Sequence, residues 1–465
     1  MSFIRYKKIG NKEYAYEVTS YWDPERKKPR QKTKYLGVVV DKEKKIFRKK
    51  RKERKEKLIL DFGDVYLLNQ FINRTKLFEK FGDKDMLLTL IFYRLCYPSA
   101  MRYARIWYEG SIAKVLFEVD VSSQRISEFL EEIGDEGIQR EFFAEYMKHI
   151  TPEEGLIIDT TALPNQINIP HTLWGWHNEE IDKQIKLLLV IDRRTSLPLF
   201  FRYMPGSIVD VSSLKTTIDE LRKYGVTKNF VILDAGFFSE DNIKELYREE
   251  IPFLIRLPAL RKLYKRLVVE ESDKLEKFRN AVRYGKRVLF IKKREVELFG
   301  RKVYAYIVLD PERRGREIRR TLLKVMDEVS KEDEEMEYIL MKKGIMILVS
   351  SLDVNREEVV PLYYTRQIAE RLFGFSKDDL NILPLRVHKE ETLRGYLFLH
   401  FASLVVYSLL KRELGKDHTV EEVLLTLRNL KCKVYEDEVV VQEPTRQQRE
   451  IFERFGIIVP KSMGI

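Results

Sequence analysis

Four polar residues in the C-terminal third of the chain have helical spacing: Tyr363, Arg366, Glu370 and Lys377. On an α-helix, where successive residues are about 100° apart, they lie on one face about 60° wide. The opposite side of the same helix carries apolar residues, namely Ile368, Leu372 and Phe375. One face is therefore predicted to pack, while the other presents a carboxylate flanked by cations. Such a face suits an acid that holds a metal ion beside bases that hold phosphate.

A solvated helix is the alternative interpretation of this stripe. Arg366 and Glu370 form an i,i+4 pair, which commonly decorates an exposed helix and contributes only about 0.2–0.5 kcal/mol.

Two further carboxylates favour a site over a solvated face. Asp159 ends the apolar run 156–158, and Asp234 ends the apolar run 230–233. Both runs predict short buried strands. A lone Asp after a strand usually caps a helix or forms a turn, but carboxylates at the ends of adjacent core strands are well placed to face a helix carboxylate.

The spacing Y-x2-R-x3-E-x6-K resembles the signature of insertion-sequence DDE transposases of the Y-R-E-K group. Asp159 in LIIDTTAL then matches the first catalytic Asp of that family, and Asp234 in VILDAGFFS matches the second. The intervals are 75 residues between the two Asp and 136 residues from Asp234 to Glu370. In this family the longer interval holds a β-rich insertion. Further segments resemble the family in order: GWHN, MPGSIVD, FSKDDLNILPLRVH and PTRQQREIFERFGI.

The three acids Asp159, Asp234 and Glu370 are expected to be catalytic and to bind metal. Clustered carboxylates cannot all stay ionised in a partly buried site without a compensating cation, and oxygen ligands suit Mg²⁺ or Mn²⁺. Two such ions about 3.5–4 Å apart can activate a water or a 3′-hydroxyl and stabilise the leaving oxygen of a phosphodiester. The expectation is that Asp159 bridges the ions, with Asp234 and Glu370 on either side.

The resemblance also implies a function and partners. Tyr363, Arg366 and Lys377 are expected to contact DNA, and the chain is expected to bind the ends of its own insertion sequence and to catalyse strand cleavage and strand transfer. The DNA would be double-stranded, both the terminal inverted repeats and the target, with a dimer in the DNA complex. Two alternatives stay open: a non-catalytic DNA-binding relic, and a metal-dependent DNA nuclease on the same fold.

The expected fold class is α/β: an RNase H-like mixed sheet flanked by helices, with a β-rich insertion before the helix of the catalytic Glu and an α-helical N-terminal region. The predicted parts are an N-terminal β-hairpin and basic segment, a helical DNA-binding region, a first part of the catalytic core, the insertion, a second part of the core and a C-terminal subdomain. Their bounds are 1–57, 58–150, 151–260, 261–344, 345–411 and 412–465.

Within the first part of the core, apolar runs predict five strands, and Ser239 is expected to cap the second of two helices. The strands are 156–160, 185–192, 199–203, 230–234 and 252–257, and the helices are 214–224 and 240–248. Two runs joined across Gly300, 287–297 and 302–308, predict a hairpin in the insertion, and the core is expected to resume at 345–350.

Charge favours a polyanionic partner. The 465-residue chain has a formal net charge of +12, and the run Lys42–Lys57 holds eleven Lys or Arg and three Glu. We expect this run to contact the phosphate backbone, although such runs are often merely solvated. Helices at 112–117 and 126–133, the second capped by Ser122 or Ser123, suggest either a helix-turn-helix that reads DNA or a plain helical hairpin.

Several classes of protein are disfavoured. Cys96 and Cys432 provide neither a zinc motif nor a disulfide framework, and the N-terminus lacks the apolar core of a signal peptide. The apolar stretch 395–410 is shorter than the roughly 20 residues that span a membrane, so it predicts a buried core helix. A cytoplasmic protein without membrane contact, associated with the nucleoid when bound to DNA, is expected.

Five other residues are weaker candidates. His177 is a candidate for a residue near the site, with a structural or DNA-contact role as the preferred alternative. His388 is a candidate for a phosphate contact, and Asp210 is expected to cap the next helix. Trp174 and Trp176 suit stacking on an unpaired base, but buried packing is the commoner use of Trp.

Overall fold

The computed structural model describes residues 2–9, 12–23, 28–48, 58–150, 155–177, 180–207, 210–226, 230–327 and 333–464. The chain divides into two compact units. The first contains Met1–Leu58 with Lys433–Val440 and Ser462–Ile465, and the second contains Ile59–Cys432 with Val441–Lys461.

The N-terminal part of the first unit is a four-stranded antiparallel sheet in sequential order, larger than the predicted hairpin. Its strands are β1 (Ser2–Ile9), β2 (Lys12–Asp23), β3 (Lys28–Asp41) and β4 (Ile46–Arg48). Ala15 and Val18 of β2 are buried. The beginning of the predicted basic segment forms the turn into β4, while its residues 49–57 lie outside the described part of the chain.

Residues 58–150 form six α-helices, as their apolar spacing predicts, together with one short strand that the spacing did not predict. They are β5 (Leu58–Asp61), α1 (Gly63–Thr75), α2 (Lys84–Cys96), α3 (Ala104–Glu109), α4 (Ala113–Leu116), α5 (Ser123–Glu132) and α6 (Glu136–Tyr146). Ser122 caps α5, because its side-chain oxygen accepts the backbone N–H of Arg125 at 3.3 Å. The α5 helix buries Ile126, Phe129 and Leu130. The first helix of the predicted pair, α4, is only four residues long.

The next segment builds the centre of the large sheet. Its elements are β6 (Leu156–Pro164), β7 (Leu173–His177), β8 (Glu180–Asp192), β9 (Pro198–Pro205), α7 (Asp210–Lys223), β10 (Val231–Leu233), α8 (Glu240–Arg248) and β11 (Phe253–Arg256). All five predicted strands and both predicted helices are present, with ends shifted by a few residues. Ser239 caps α8 as predicted, accepting the N–H of Asn242.

The directions of these strands bring the two Asp-bearing strands side by side. The β8 strand is antiparallel to both β6 and β9, whereas β10 is parallel to β6 and to β11. The spatial order is therefore β9-β8-β6-β10-β11, and β7 pairs with the first residues of β8 on the same edge as β9. In the β6–β10 register Leu233 lies opposite Ile158, so Asp159 and Asp234 each follow a paired residue.

The insertion contributes strands to this same sheet. It contains α9 (Lys262–Glu271), β12 (Ala281–Tyr284), β13 (Arg287–Leu298), β14 (Arg301–Leu309), α10 (Pro311–Asp327) and α11 (Asp333–Met341), and the core resumes at β15 (Ile345–Ser350). The predicted hairpin is β13–β14. Because β15 is antiparallel to both β11 and β14, the order β12-β13-β14-β15-β11 continues the core into a ten-stranded sheet. Every residue of β15 is buried, so both its edges need a strand partner.

The remaining elements are α12 (Arg356–Tyr364), α13 (Gln367–Gly374), α14 (Glu390–Leu414), α15 (Val420–Arg428), β16 (Lys431–Val434), β17 (Glu438–Val441), α16 (Arg446–Arg454) and β18 (Ser462–Gly464). In the described residues, α14 alone is long and apolar enough to cross a membrane, yet 94% of its apolar window is buried in the fold. This matches the predicted core helix. The helix extends beyond the apolar stretch at both ends. Acidic residues in its first turn and basic residues in its last turn interact favourably with the helix dipole and stabilise these ends.

Candidate active site

Asp159 projects from the middle of β6 and is nearly buried. One of its oxygens, Oδ1, accepts the backbone N–H of Thr160 at 2.9 Å. Burial raises the pKa of the Asp159 carboxyl to about 7, although the adjacent Arg366 guanidinium lowers that pKa and the Asp234 carboxylate adds to the rise. This carboxyl therefore takes up or releases a proton near neutral pH.

Asp234 follows β10 directly and begins the short turn Ala235–Phe237. Its side chain makes no capping hydrogen bond to that described turn. Instead, Oδ1 accepts the phenolic hydrogen of Tyr363 at 3.0 Å. The phenol is mostly buried, and burial, followed by the charge of Asp234, raises the pKa of Tyr363 well above its usual value. Tyr363 is thus a neutral donor that orients Asp234.

The guanidinium of Arg366 joins the three acids. Its Nη1 lies 2.8 Å from Asp159 Oδ2, and its Nη2 lies 2.7 Å from Glu370 Oε1 and 3.8 Å from Asp234 Oδ1. We call Asp159, Asp234 and Glu370 the acidic cluster. Its three carboxylates, distant in sequence, all face this one positive group. The acidic neighbours raise the pKa of Arg366 even though burial opposes this, so the guanidinium stays charged.

Glu370 is the most exposed member of the acidic cluster, with 52% of its side chain accessible, against 8% for Asp159. Within the described residues, no three His, Cys, Asp or Glu side chains have the spacing of a preformed metal site. The guanidinium lies against the oxygens that a metal ion would use.

The helix that carries these residues is broken, which corrects the prediction of one continuous helix. The α12 helix ends at Tyr364 and α13 begins at Gln367. At the break Thr365 Oγ1 donates to Leu362 O at 2.7 Å, and the N–H of Arg366 bonds to Tyr363 O in a tighter i,i+3 pattern. After α13 a π-helical turn spans Phe375–Asp379.

The predicted face nevertheless survives in part. Tyr363, Arg366 and Glu370 meet around the acidic cluster, and Leu372 and Phe375 are buried as predicted. Tyr363 is buried as well, rather than presented on an open polar face, because its hydroxyl reaches Asp234.

Lys377 reaches the same strand from the π-helical turn. Its Nζ donates to Thr161 Oγ1 at 2.8 Å. Alternate residues of a strand share a face, so Thr161 lies on the same side of β6 as Asp159. Burial lowers the pKa of Lys377, and the charge of Asp378 opposes this shift. Sequence reasoning missed Thr161, although its i,i+2 position from Asp159 was the available signal.

The weaker candidates do not join the acidic cluster in the described contacts. His388 is exposed and lines a separate cavity. Trp174 is 60% exposed, with the Lys183 ammonium 5.8 Å from its ring centroid, so it is not a core residue. The α7 helix begins at Asp210, but the side chains of Asp210, Trp176 and His177 lie outside the described part of the structure.

Comparison with known proteins identifies the family. The model of the family described as "Transposase DDE domain" matches residues 150–406, more than half of the chain. The matched range contains the whole acidic cluster. A search of curated proteins finds no match.

Among solved structures, a cryo-EM structure of the piggyBac transposase synaptic complex with hairpin DNA is 11% identical. The alignment covers 78% of this chain and 70% of that chain, with a TM-score of 0.42. A likeness this distant adds nothing to the family match over residues 150–406. On that match, the chain belongs to the DDE transposase family.

Proposed function

We propose that this transposase binds the ends of its own insertion sequence and catalyses metal-dependent strand cleavage and strand transfer, with the acidic cluster as its catalytic centre. The observation that carries the proposal is the convergence of Asp159, Asp234 and Glu370 on the Arg366 guanidinium. Three carboxylates that lie this close together can bind a cation and balance its positive charge.

The residues of the acidic cluster fit Mg²⁺ or Mn²⁺. Their donors are carboxylate oxygens, the ligands that these hard ions prefer. Because burial disfavours the ionised form of Asp159, a cation beside this carboxylate would stabilise that form. Asp159, Asp234 and Glu370 would hold the metal. When bound, the metal supplies Lewis-acid activation of a water or a 3′-hydroxyl and stabilisation of the leaving oxygen.

The other residues of the site orient the carboxylates or are suited to bind phosphate. The Thr160 N–H and the Tyr363 hydroxyl each fix one carboxylate, which limits how the acidic cluster reorients. Arg366 and Lys377 are cations next to the cluster and are suited to hold the phosphates that flank the cleaved bond. If Arg366 leaves the carboxylates, the carboxylates become free to bind metal and Arg366 becomes free to bind phosphate.

We infer that the partner is double-stranded DNA, both the terminal inverted repeats and the target, and that two chains pair two ends in the DNA complex. The net charge of +12 supports a polyanionic partner. A cytoplasmic protein that associates with the nucleoid through DNA is part of this proposal.

We also infer an RNase H-like core. The order β9-β8-β6-β10-β11, with β8 antiparallel and β10 and β11 parallel to β6, supports this assignment.

The test uses the purified full chain and a labelled duplex that carries the inverted repeat flanking its gene. Glu370→Gln should leave folding and DNA binding unchanged. Cleavage with Mg²⁺ should fall by more than the roughly 10–100-fold that loss of an outer-shell partner costs, because a direct ligand is removed. Glu358→Gln, the same change at an exposed position of α12, is the matched control and should cleave normally.

The products separate the rival functions. Strand transfer into a target plasmid indicates transposition, and cleavage without transfer indicates a nuclease. Binding of the repeat without cleavage in any divalent metal indicates a non-catalytic protein. Full cleavage by the Glu370→Gln variant would rule out the acidic cluster as the catalytic centre.

A further inference from the structure

A second candidate ligand site lies away from the acidic cluster. A cavity of about 630 Å³ is bordered by the end of α2 with the segment 98–103, by one side of α5, and by the segment 381–389 that leads into α14. No member of the acidic cluster lines it. Its volume lies within the range of small-molecule sites, roughly 300–1,000 Å³.

Arg94 of α2 is a buried lining residue of this cavity. Among the residues that the structure describes, it is the largest fully buried side chain, with 1% exposure. Its Nη2 lies 3.1 Å from the Tyr396 hydroxyl and 3.3 Å from His400 Nδ1, and its buried Nε has no hydrogen-bond partner in the described part of the chain. Across the described residues, no carboxylate lies within ion-pair distance of Arg94. A buried guanidinium of this kind ordinarily faces an acid.

His400 does not supply the missing negative charge. Complete burial, and then the neighbouring guanidinium, lower its pKa well below the usual value, so the imidazole is neutral. Since arginine only donates hydrogen bonds, Nδ1 of His400 must be the acceptor. The positive charge of Arg94 is therefore uncompensated, and the cavity is electrostatically suited to an anion.

The lining of the cavity also carries exposed positive charge and an aromatic ring. Arg102 and Arg386 are exposed lining residues. Arg102 lies over the ring of Tyr103, 4.7 Å from its centroid, and Tyr103 is 37% exposed. Part of the wall of the cavity is apolar, formed by Ile126, Leu130 and Val387 among others.

We propose that this cavity binds a nucleotide, with its phosphate toward Arg94 and Arg386 and its base against Tyr103 and the apolar wall. The cavity exceeds the size of a bare phosphate ion, and apolar walls suit a ring. The same chemistry is offered by a free nucleotide and by a nucleotide unit of a DNA strand. The site goes beyond the proposed catalysis because it uses no residue of the acidic cluster.

The test is calorimetric titration of the full chain, without divalent metal, with four probes: deoxyadenosine monophosphate, deoxyadenosine, inorganic phosphate and a single-stranded tetranucleotide. The nucleotide should bind at least tenfold more tightly than either deoxyadenosine or phosphate alone. Tighter binding of the tetranucleotide identifies a DNA strand as the source, and tighter binding of the mononucleotide identifies a free nucleotide.

Variants separate this site from the catalytic one. Arg386→Ala should weaken nucleotide binding at least tenfold, whereas Arg105→Ala, an exposed arginine that does not line the cavity, should change it less than twofold. Glu370→Gln should bind the nucleotide normally, so failure of the proposed catalysis would leave this result intact. Arg94→Gln should abolish binding, and Arg386→Ala carries the test if that variant does not fold. Binding that is absent for every probe, equal for deoxyadenosine, or unchanged in Arg386→Ala would overturn the proposal.

Discussion

At the scale of single residues, Arg366 is the partner that all three catalytic candidates share. The helical spacing of the sequence predicts Arg366 on one face with Glu370. The contacts of Arg366 with Asp159 and Asp234 depend on the tertiary fold. A guanidinium and a divalent cation are alternative partners for the same oxygens. Arg366 would therefore compete, in the DNA-free protein, with a metal ion held by the acidic cluster as proposed.

Removal of this competitor should strengthen metal binding. A charge-assisted hydrogen bond contributes about 1.5–3 kcal/mol net, so Arg366→Gln is expected to tighten Mn²⁺ binding roughly tenfold or more. Electron paramagnetic resonance of free Mn²⁺ measures this without any catalytic assay. Arg371→Gln, at an exposed position on α13, is the control and should bind Mn²⁺ like the unchanged protein. Weaker binding in Arg366→Gln would contradict the competition.

Metal binding should also depend on pH through Asp159. Its raised pKa of about 7 means that below this pH the carboxyl is mostly protonated and must lose a proton before it can hold a cation. Mn²⁺ affinity is therefore expected to rise with pH up to about 7 and then to level off. Calorimetry at pH 6 in buffers of different ionisation enthalpy should detect proton release on binding. An affinity that is flat between pH 5.5 and 8 would show that Asp159 is already ionised throughout.

At the scale of elements, the predicted strands of the core were found because each is a short apolar run with clear ends. The predicted continuous helix of Glu370 is broken in the structure, because 100° spacing describes an ideal helix and cannot predict the break at Thr365 or the π-helical turn at Lys377. Both departures depend on which partners the side chains meet. Tyr363 meets Asp234, and Lys377 meets Thr161.

The packing of α5 on α14 is another element that sequence alone did not reveal. A Cβ at Gly395 of α14 would lie 1.8 Å from the carbonyl oxygen of Leu130 in α5. Gly395→Ala should therefore destabilise the fold by about 1–3 kcal/mol, since the backbones must separate. Urea unfolding measures the change.

Gly374→Ala is the matched control for this prediction. Gly374 ends α13 in a helical conformation, and an added Cβ would meet no atom within 4 Å. Alanine there should be neutral or stabilise by about 0.5–1 kcal/mol, because glycine loses more conformational freedom in a helix. Equal stabilities of the two variants would show that the two backbones are not in close contact.

At the scale of the whole molecule, positive charge is unevenly distributed along the chain. The run Lys42–Lys57 carries eight of the twelve net charges. Its DNA role stays a prediction, as does that of α5, whose exposed residues include Glu128 and Glu132. Acidic side chains do not favour contact with phosphates.

Neutralising part of the basic run Lys42–Lys57 should weaken DNA binding equally for every DNA sequence. Replacing Lys49, Lys50, Arg51 and Lys52 with Gln is expected to reduce the slope of log affinity against log salt by about 3.6, if all four contact phosphates of duplex DNA. Fluorescence anisotropy at several salt concentrations measures the slope. Repeat-bearing and scrambled duplexes should lose affinity equally, and an unchanged slope would mean that the run is merely solvated.

The sequence by itself determined the candidate acids, the apolar strands and the core nature of α14. Residue type and local periodicity are encoded over a few positions, so they can be inferred without the fold. Only the tertiary structure decided that the insertion extends the central sheet, that Arg366 bridges the acidic cluster, and that Arg94 is buried without an acid. These depend on strand pairing and side-chain contacts between segments far apart in sequence, which no local pattern specifies.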